Sequence, residues 1–517
     1  MEHKIEWEKI VGIIGMAAAA ALLGVSIYLC FGSDIWYDEL FTMGLAEQSC
    51  GELISITARD VHPPLYYLIV KFFLAVSGVV TGSIQPVVIG KLVSVLPFFL
   101  CLIYALMKVR KQFGMLCAGI FSFLLLTMPQ LADYTVEIRM YSYAMFFILA
   151  AMLHAYELAH GEKKKKWIDW TALTLYSLAA CYTHYFACVA ACMVYLYLLV
   201  SLCRAHRMKQ EGKAFFASGL LCGGAYVPWL LLAVTGQVGQ VKESYWIQPL
   251  GWRSLGGCAK FLFQPLFSSQ VLNAVLAVLF FLCYAGLLAG MVLKWIRQKE
   301  VQETVLFTAG CVWVLLGIVF FGFLASFLIR PIFVYRYMLP ALGVFWLAFA
   351  LLVSGLKEKK FLFFPLLVLL GVVGFRNYRA FYGEEMWKRV QMEQAEEVFG
   401  GIGAEDKLIF NFDQTQAVVS YYLPNQTYLW YGNPEELVCE IYPHNHGLVE
   451  DDFSDEKGIA ALKELLMDGK SVWFLGSGNA RDEIIEKWEN AGIKAEECGS
   501  AMVERYWFNL YKIFLIE

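Results

Sequence analysis

Charge is scarce in this chain. Asp, Glu, Lys and Arg make up only 17% of its 517 residues, against about 25% in ordinary soluble domains. That excludes a freely soluble globular chain over most of the length. No long basic block occurs; basic residues fall in short clusters between apolar runs, so nothing points to nucleic acid. The 14 cysteines show no Cys-x-x-Cys and no Cys/His zinc spacing, which leaves no sequence case for a zinc or dithiol centre. Internal repeats and low-complexity stretches are absent. Gly476-Ser477-Gly478 falls short of a full G-x-G-x-x-G because position 481 is Arg, so it reads as a strand-to-helix turn rather than a phosphate loop.

What is present is apolar sequence. Hydrophobic residues reach 59% and the mean hydropathy is +0.56. Long apolar runs recur from Ile10 to Phe375, many near the ~20 residues that span a bilayer. The chain reads as a polytopic membrane protein. Its first run is too long for a signal-peptide core and lacks an Ala-x-Ala exit, so it is expected to be retained. Cys101, Cys117, Cys188 and Cys192 lie inside apolar segments and act there as small hydrophobes. Cys439 and Cys498 in the C-terminal region are the pair open to bridging.

Basic clusters punctuate the runs at Lys108 to Lys111, Lys163 to Lys166, Arg204 to Lys213, Lys294 to Lys299 and Lys357 to Lys360. The positive-inside rule places all of them in the cytoplasm. Parity then decides one segment. If Pro63 to Val80 and Pro86 to Val109 both crossed, Lys108 and every later cluster would invert. Pro63 to Val80 is therefore expected not to cross but to lie in the outer interface, with Lys71 snorkelling. His62-Pro63-Pro64 suits the start of such a helix. The expected fold is a polytopic α-helical membrane protein of about 11 transmembrane helices with external juxtamembrane helices. Approximate spans are 9–31, 85–107, 115–133, 141–159, 168–183, 186–203, 214–234, 270–294, 305–329, 337–355 and 361–375, with the N-terminus cytoplasmic.

After Phe375 the composition changes. Residues 1–380 form the expected membrane domain and 381–517 a small external α/β domain. Strand-like runs at Lys407 to Phe412, Ser471 to Leu475 and Tyr506 to Ile516 alternate with helical patterns at Gly458 to Met467 and Arg481 to Ala491. Asn425-Gln426-Thr427 fits a glycosylation sequon.

Charge that survives in such a chain marks function. Under this topology Asp38, Glu39, His62, Glu137, Arg139, His184, Arg330 and Arg336 all fall on the external face, with Lys91 near the outer end of its span. Cations neutralise a lipid-linked phosphate leaving group, and a carboxylate takes the proton of an acceptor hydroxyl. Each residue also has a plainer reading. Asp38 caps a helix beginning at Glu39; Glu137 and Arg139 form a surface ion pair; Lys91 snorkels; His184, beside Tyr185, belongs to an aromatic belt. Arg330 and Arg336 run against the positive-inside pattern, and an anionic head group supplies a reason for them.

Trp36-Tyr37-Asp38-Glu39, His62-Pro63-Pro64-Leu65-Tyr66-Tyr67, Glu137-Ile138-Arg139-Met140-Tyr141-Ser142, Thr183-His184-Tyr185 and Arg330-Pro331-x-Phe333-x-x-Arg336-Tyr337 occur in this order. On these motifs, over roughly residues 9 to 375, the chain resembles the GT-C membrane glycosyltransferases. The likeness is to the protein mannosyltransferase and aminoarabinose transferase group (glycosyltransferase family 39 and its RgtA/B/C/D-like relatives). The resemblance implies hexosyl or pentosyl transfer, with inversion, from a polyprenyl-phosphate donor to an external glycan, lipid or protein acceptor. Asp38 would be the general base. Glu39, grouped with Asp38 as catalytic, would line the sugar and acceptor site with His62 and Glu137, and Tyr66, Lys91, Tyr141, His184 and Tyr337 would belong to the substrate-binding set. Arg139 and Arg336 would hold the donor phosphate. The family often has Arg where this chain has Lys91, a point charge without the bidentate fork. No metal is expected; the alternative is Mg²⁺ or Mn²⁺ on oxygen ligands from Asp38 and Glu137. Two other functional classes compete: a lipid-linked sugar flippase, and a non-catalytic envelope assembly partner.

Overall fold

The computed structural model describes residues 2–32, 34–80, 85–161, 166–243, 247–298, 303–403, 405–411, 419, 427–430, 453–503 and 505–516. The Asn425 sequon, the Cys439–Cys498 pairing and the cluster at Lys163 to Lys165 lie wholly or partly outside the described residues. The chain divides into two compact units, residues 1–30 with 50–382, and residues 31–49 with 383–517.

The first unit is a helical bundle. Its helices are α1 (Glu2–Leu29), α3 (Cys50–Arg59), α4 (Leu65–Val80), α5 (Pro86–Tyr104), α6 (Arg110–Thr127), α7 (Tyr141–His160), α8 (Lys166–Thr183), α9 (Tyr185–Arg204), α10 (Met208–Glu243), α11 (Trp252–Phe263), α12 (Gln270–Gln298), α13 (Glu303–Leu328), α14 (Leu339–Ser354) and the first part of α15 (Lys360–Phe399). Among the described residues nine helices are long and apolar enough to cross a membrane. One of these, Pro86–Thr127, is continuous through a π turn at Ala105–Val109 but breaks at Gly114, whose φ of 87° only glycine adopts without strain. Contacts show that it doubles back there. The Tyr143 hydroxyl donates to the Val93 carbonyl (3.1 Å) and Tyr104 meets His154 Nε2 (3.2 Å) at the same interval on both helices, so α5 runs parallel to α7. Beyond Gly114, α6 runs parallel to α1. A Cβ on Gly12 would collide with the Met115 carbonyl, and one on Gly15 would lie 2.6 Å from that of Gly119. Small residues let the two backbones touch, as in tight membrane packing.

The remaining helices sort the same way. Helix α8 runs against α7, with His154 bonded to Asp169 at 2.7 Å and the Tyr141 and His184 rings 5.5 Å apart. It runs with α10, through Lys166–Glu211 (2.6 Å) at one end and Tyr182 to the Ala225 carbonyl (2.7 Å) at the other. Helix α8 is less apolar than the nine, yet its two ends lie at opposite ends of the bundle. Counting it, and both halves of the broken helix, eleven helices among the described residues run from end to end of the bundle, in agreement with the sequence expectation. Helix α4 does not. Its first turn meets the first turn of α7, the Tyr66 and Tyr143 rings lying 5.6 Å apart, and α5 runs parallel to α7, so α4 and α5 begin at the same end.

One end of the bundle gathers the basic residues. Lys108 pairs with Asp169 (3.2 Å) and Glu157 (3.8 Å), Lys166 with Glu211 (2.6 Å), and Lys357 with Glu8 (2.9 Å). The other end carries the motifs that belong to this unit, those around His62, Arg139, His184 and Arg336. One expectation is corrected here: Lys108 to Lys111 are not a loop, because good helix formers carry the helix on to Gly114, where the chain turns.

The second unit holds α2 (Tyr37–Glu47), the end of α15, and a five-stranded sheet of order β2-β1-β3-β5-β4. The strands are β1 (Lys407–Phe410), β2 (Thr427–Trp430), β3 (Val472–Gly476), β4 (Ile493–Val503) and β5 (Tyr506–Leu515), with α16 (Glu456–Met467) and α17 (Gly478–Asn490) between them. Strand β1 is parallel to β2 and β3, while β5 is antiparallel to β3 and β4. Its core is Leu462, Phe474, Ile484, Trp488 and Ile513. Asn411 fills the turn before α17, accepting from Ser477 N (3.0 Å) and donating to its carbonyl (2.7 Å). This side chain occupies the place a phosphate would need, in line with the plain turn.

Candidate functional site

At the motif end of the first unit four helix starts converge. His62 stands just before α4, Arg139 just before α7, His184 caps α9, and Arg336 lies in a 3-10 turn (Tyr335–Met338) that leads into α14. The His62 and His184 rings are 5.3 Å apart, His184 and Tyr337 5.0 Å, and His184 and Tyr141 5.5 Å. The Arg336 guanidinium lies 5.9 Å from the centre of the Tyr141 ring. Local sequence fixes each part. The Phe186 N–H donates to His184 Nδ1 at 3.1 Å. Ser326 Oγ accepts from Ile332 N and Phe333 N, both at 3.2 Å, and holds the approach to Arg336. A Cβ on Gly257 or Gly322 would collide with the Tyr335 or Phe333 ring.

The site is buried and brings two guanidiniums beside two histidines. His62, Arg139, His184 and Tyr141 are all buried, His184 to 1% exposure. Burial, and then Arg139 and Arg336, hold the His184 imidazole down to about 3; burial, then His184, Arg139 and Arg336, lower His62 well below its usual range. Both rings are therefore neutral near pH 7. His62 Nδ1 and His184 Nε2 are buried with no hydrogen-bond partner among the described residues. Helix N-termini carry partial positive charge and exposed N–H groups. Four of them, with two guanidiniums, make this a place for an anion.

The other expected residues are distributed as follows. Tyr66 is fully buried against Tyr143, ring to ring 5.6 Å. Lys91 is 3% exposed, so it is enclosed by the bundle and does not snorkel to its surface. Glu137 is half-buried and close enough to Tyr134 to add to the rise that burial imposes on that phenol; its carbonyl accepts from Arg139 N at 2.8 Å. Asp38 and Glu39 lie in the first turn of α2, in the second unit. The capping reading of Asp38 is corrected, because the N-cap is Trp36 and Glu39 supplies the return bond, accepting from Trp36 N at 3.2 Å. Asp38 is half-buried. Among the described residues no group of three or more His, Cys, Asp or Glu is placed to hold a metal ion.

Sequence reasoning missed two features. One is a cavity of about 520 Å³ lined by Gln130, Lys260, Gln264, Asn273, Tyr335 and Arg376 among others. Its residues come from four separate segments, and only Tyr335 borders a motif. Gln130 there has a φ of 68°, a conformation costly for a side chain other than glycine. The other is the paired network at the basic end, to which His154, Glu157 and Asp169 contribute from inside apolar helices.

The whole chain has the GT-C fold. It superposes on ArnT from Cupriavidus metallidurans, an aminoarabinose transferase, in the apo state with a TM-score of 0.61 at 13% identity, covering 97% of each chain. It matches the same protein bound to undecaprenyl phosphate with a TM-score of 0.53 at 15% identity and the same coverage. The oligosaccharyltransferase AglB from Archaeoglobus fulgidus gives a TM-score of 0.41 at 12% identity, over 89% of this chain and 69% of AglB. No family model and no curated protein sequence matches the chain.

Proposed function

We propose that this chain is a membrane glycosyltransferase that takes a sugar from a polyprenyl-phosphate donor. The observation that carries the reading is the convergence of four helix N-termini with Arg139 and Arg336 at one end of the bundle. An arrangement of this kind stabilises the negative charge that grows on a departing phosphate. The match to an ArnT structure holding undecaprenyl phosphate agrees with it. Asp38 is the general base on the acceptor hydroxyl, an assignment that rests on its motif and its chemistry, and attack opposite the leaving phosphate inverts the anomeric centre. Glu39, His62, Tyr66, Glu137, Tyr141 and Tyr337 line the sugar and acceptor region, and Lys91 adds positive charge behind it. The cavity beside Tyr335, rich in carboxamides and with Lys260 and Arg376 on its wall, suits a polyhydroxylated acceptor. The positive-inside rule puts this end outside the cell and the basic end in the cytoplasm. Residues 381–517 form the external domain.

Two measurements test this. Mass spectrometry of lipid carried through purification is expected to find a polyprenyl phosphate. Proteoliposomes supplied with a polyprenyl-phosphate sugar are expected to transfer it to an added acceptor. A second reading, translocation of the lipid-linked sugar, draws on the buried ionisable groups at the basic end. Movement of the donor across the bilayer with no transfer would favour it. Against it, Lys108, His154, Glu157 and Asp169 are all paired with one another, as in a structural lock.

A further inference from the structure

His184 is constrained by chemistry that its motif does not show. A backbone N–H only donates, so the bond from Phe186 N to His184 Nδ1 (3.1 Å) leaves a lone pair on Nδ1. A neutral ring then carries its proton on Nε2. That Nε2 is buried and has no hydrogen-bond partner among the described residues. Around it stand the rings of His62, Tyr141 and Tyr337, at 5.3, 5.5 and 5.0 Å. A second proton is opposed by Arg139 and Arg336, the charged groups that act on it. The ring is thus a fixed, uncharged N–H donor, buried and acted on by two guanidiniums. An orphaned buried donor is costly to a folded protein unless something else uses it.

We propose that His184 is a specificity-determining residue whose Nε2–H donates to a phosphate oxygen of the lipid-linked donor. This rests on the donor-phosphate reading above and adds what a third cation would not. In the transfer, the bond between the anomeric carbon and the phosphate oxygen breaks, and its electron pair stays on the phosphate. The acceptor oxygen bonds to the anomeric carbon, and the hydroxyl proton goes to Asp38. The product phosphate is therefore more negative than the donor. A third full charge would favour that product and slow its release; a neutral donor fixes direction with less bias toward it. The same side chain caps α9, so the phosphate contact and the helix start are one unit.

Two substitutions separate the roles. His184→Asn keeps an acceptor near Nδ1, and Asn is a good N-cap, but it removes the distal donor. His184→Gln places an amide nitrogen near Nε2 and loses the cap. With undecaprenyl phosphate in detergent micelles as probe, His184→Asn is expected to melt like wild type and to bind about tenfold more weakly. His184→Gln is expected to melt lower and bind near wild type. The inference is overturned if His184→Asn binds like wild type, or if His184→Gln loses as much affinity as His184→Asn. Should either variant fail to fold, 15N-histidine NMR of the wild type decides. A proton on Nε2 and a shift of that signal on adding the probe support the inference; a proton on Nδ1, or no shift, sinks it. Failure of the wider reading looks different: wild type would not bind the probe, or Arg336→Gln would bind it as wild type does.

Discussion

The two ends of the membrane bundle both bury polar groups, but they treat them differently. At the basic end, His154 uses both ring nitrogens, one on Asp169 and one on Tyr104, and Lys108 reaches two carboxylates. At the motif end, His62 and His184 each keep a buried ring nitrogen without a partner among the described residues, beside two guanidiniums. Buried polar atoms are normally satisfied, so exceptions ask for a reason. The paired cluster is explained by what it fastens: the π turn that follows α5 meets α7 and α8 there through charge. His160 at the basic end also keeps a buried Nε2 without a partner among the described residues, so what sets the motif end apart is the setting of its two rings beside Arg139 and Arg336.

The largest expected effect tests whether the motif end needs a base supplied from α2. Asp38→Asn should lower transfer by about 10²–10⁴-fold, the usual weight of general acid–base help, while undecaprenyl phosphate binding stays within twofold or so. Transfer at the wild-type rate would remove Asp38 from the mechanism and leave the anion site standing alone. Arg336→Gln comes next. Loss of a preorganised partner of the leaving group is worth about 10²–10³-fold in transfer, and binding of undecaprenyl phosphate should weaken with it. If Arg336→Gln instead melts far lower and binds the lipid unchanged, the contrast between the two ends fails.

The opposite pattern is expected at the basic end. Asp169→Asn leaves Lys108 and His154 short of a partner, which costs about 1–3 kcal/mol, read as a lower midpoint in thermal or denaturant unfolding of the detergent-solubilised protein. Lys108 is partly exposed, which favours the lower half of that range for its share, whereas His154 is buried and carries the larger part of the loss. Donor affinity in the folded fraction should be unchanged. A fall in affinity without a fall in stability would reveal a functional role at this end and would revive the translocation reading.

Much of this was legible in the sequence. Parity of basic clusters gave eleven traverses and the short Pro63 to Val80 helix, because charge bias and hydropathy are read one segment at a time. Gathering His62, Arg139, His184 and Arg336 at one end needed only the same parity. What was not legible depended on contacts between segments. Nothing in Lys108 to Lys111 reveals that the helix runs on to Gly114, since helix formers there outweigh their charge. His154, Glu157 and Asp169 look like blemishes in apolar helices until they meet. Strands β2 and β4 were missed, the second because Glu496, Glu497 and Gly499 disguise a strand whose pairing with β5 bulges at that point.

The smallest effect is a pH dependence, and it separates the two ends again. A histidine whose folded-state value is depressed stays neutral in the fold while the unfolded chain takes up a proton. For His184 that window runs from the ordinary value near 6.5 down to about 3. Stability is therefore unaffected by these groups above the window and falls as pH drops through it. The slope is at most about 1.4 kcal/mol per pH unit for each such ring. His62 acts in the same direction. Between pH 7.5 and 5.5 the wild type should lose melting temperature, and His62→Gln combined with His184→Gln should flatten the profile even though it lowers stability at neutral pH. Bound undecaprenyl phosphate should flatten it too, because an anion beside the rings favours their protonation in the fold. A slope unchanged by the double substitution and by the lipid would mean that the rings at the motif end are as fully accommodated as His154, and the difference between the ends would then lie in the arginines alone.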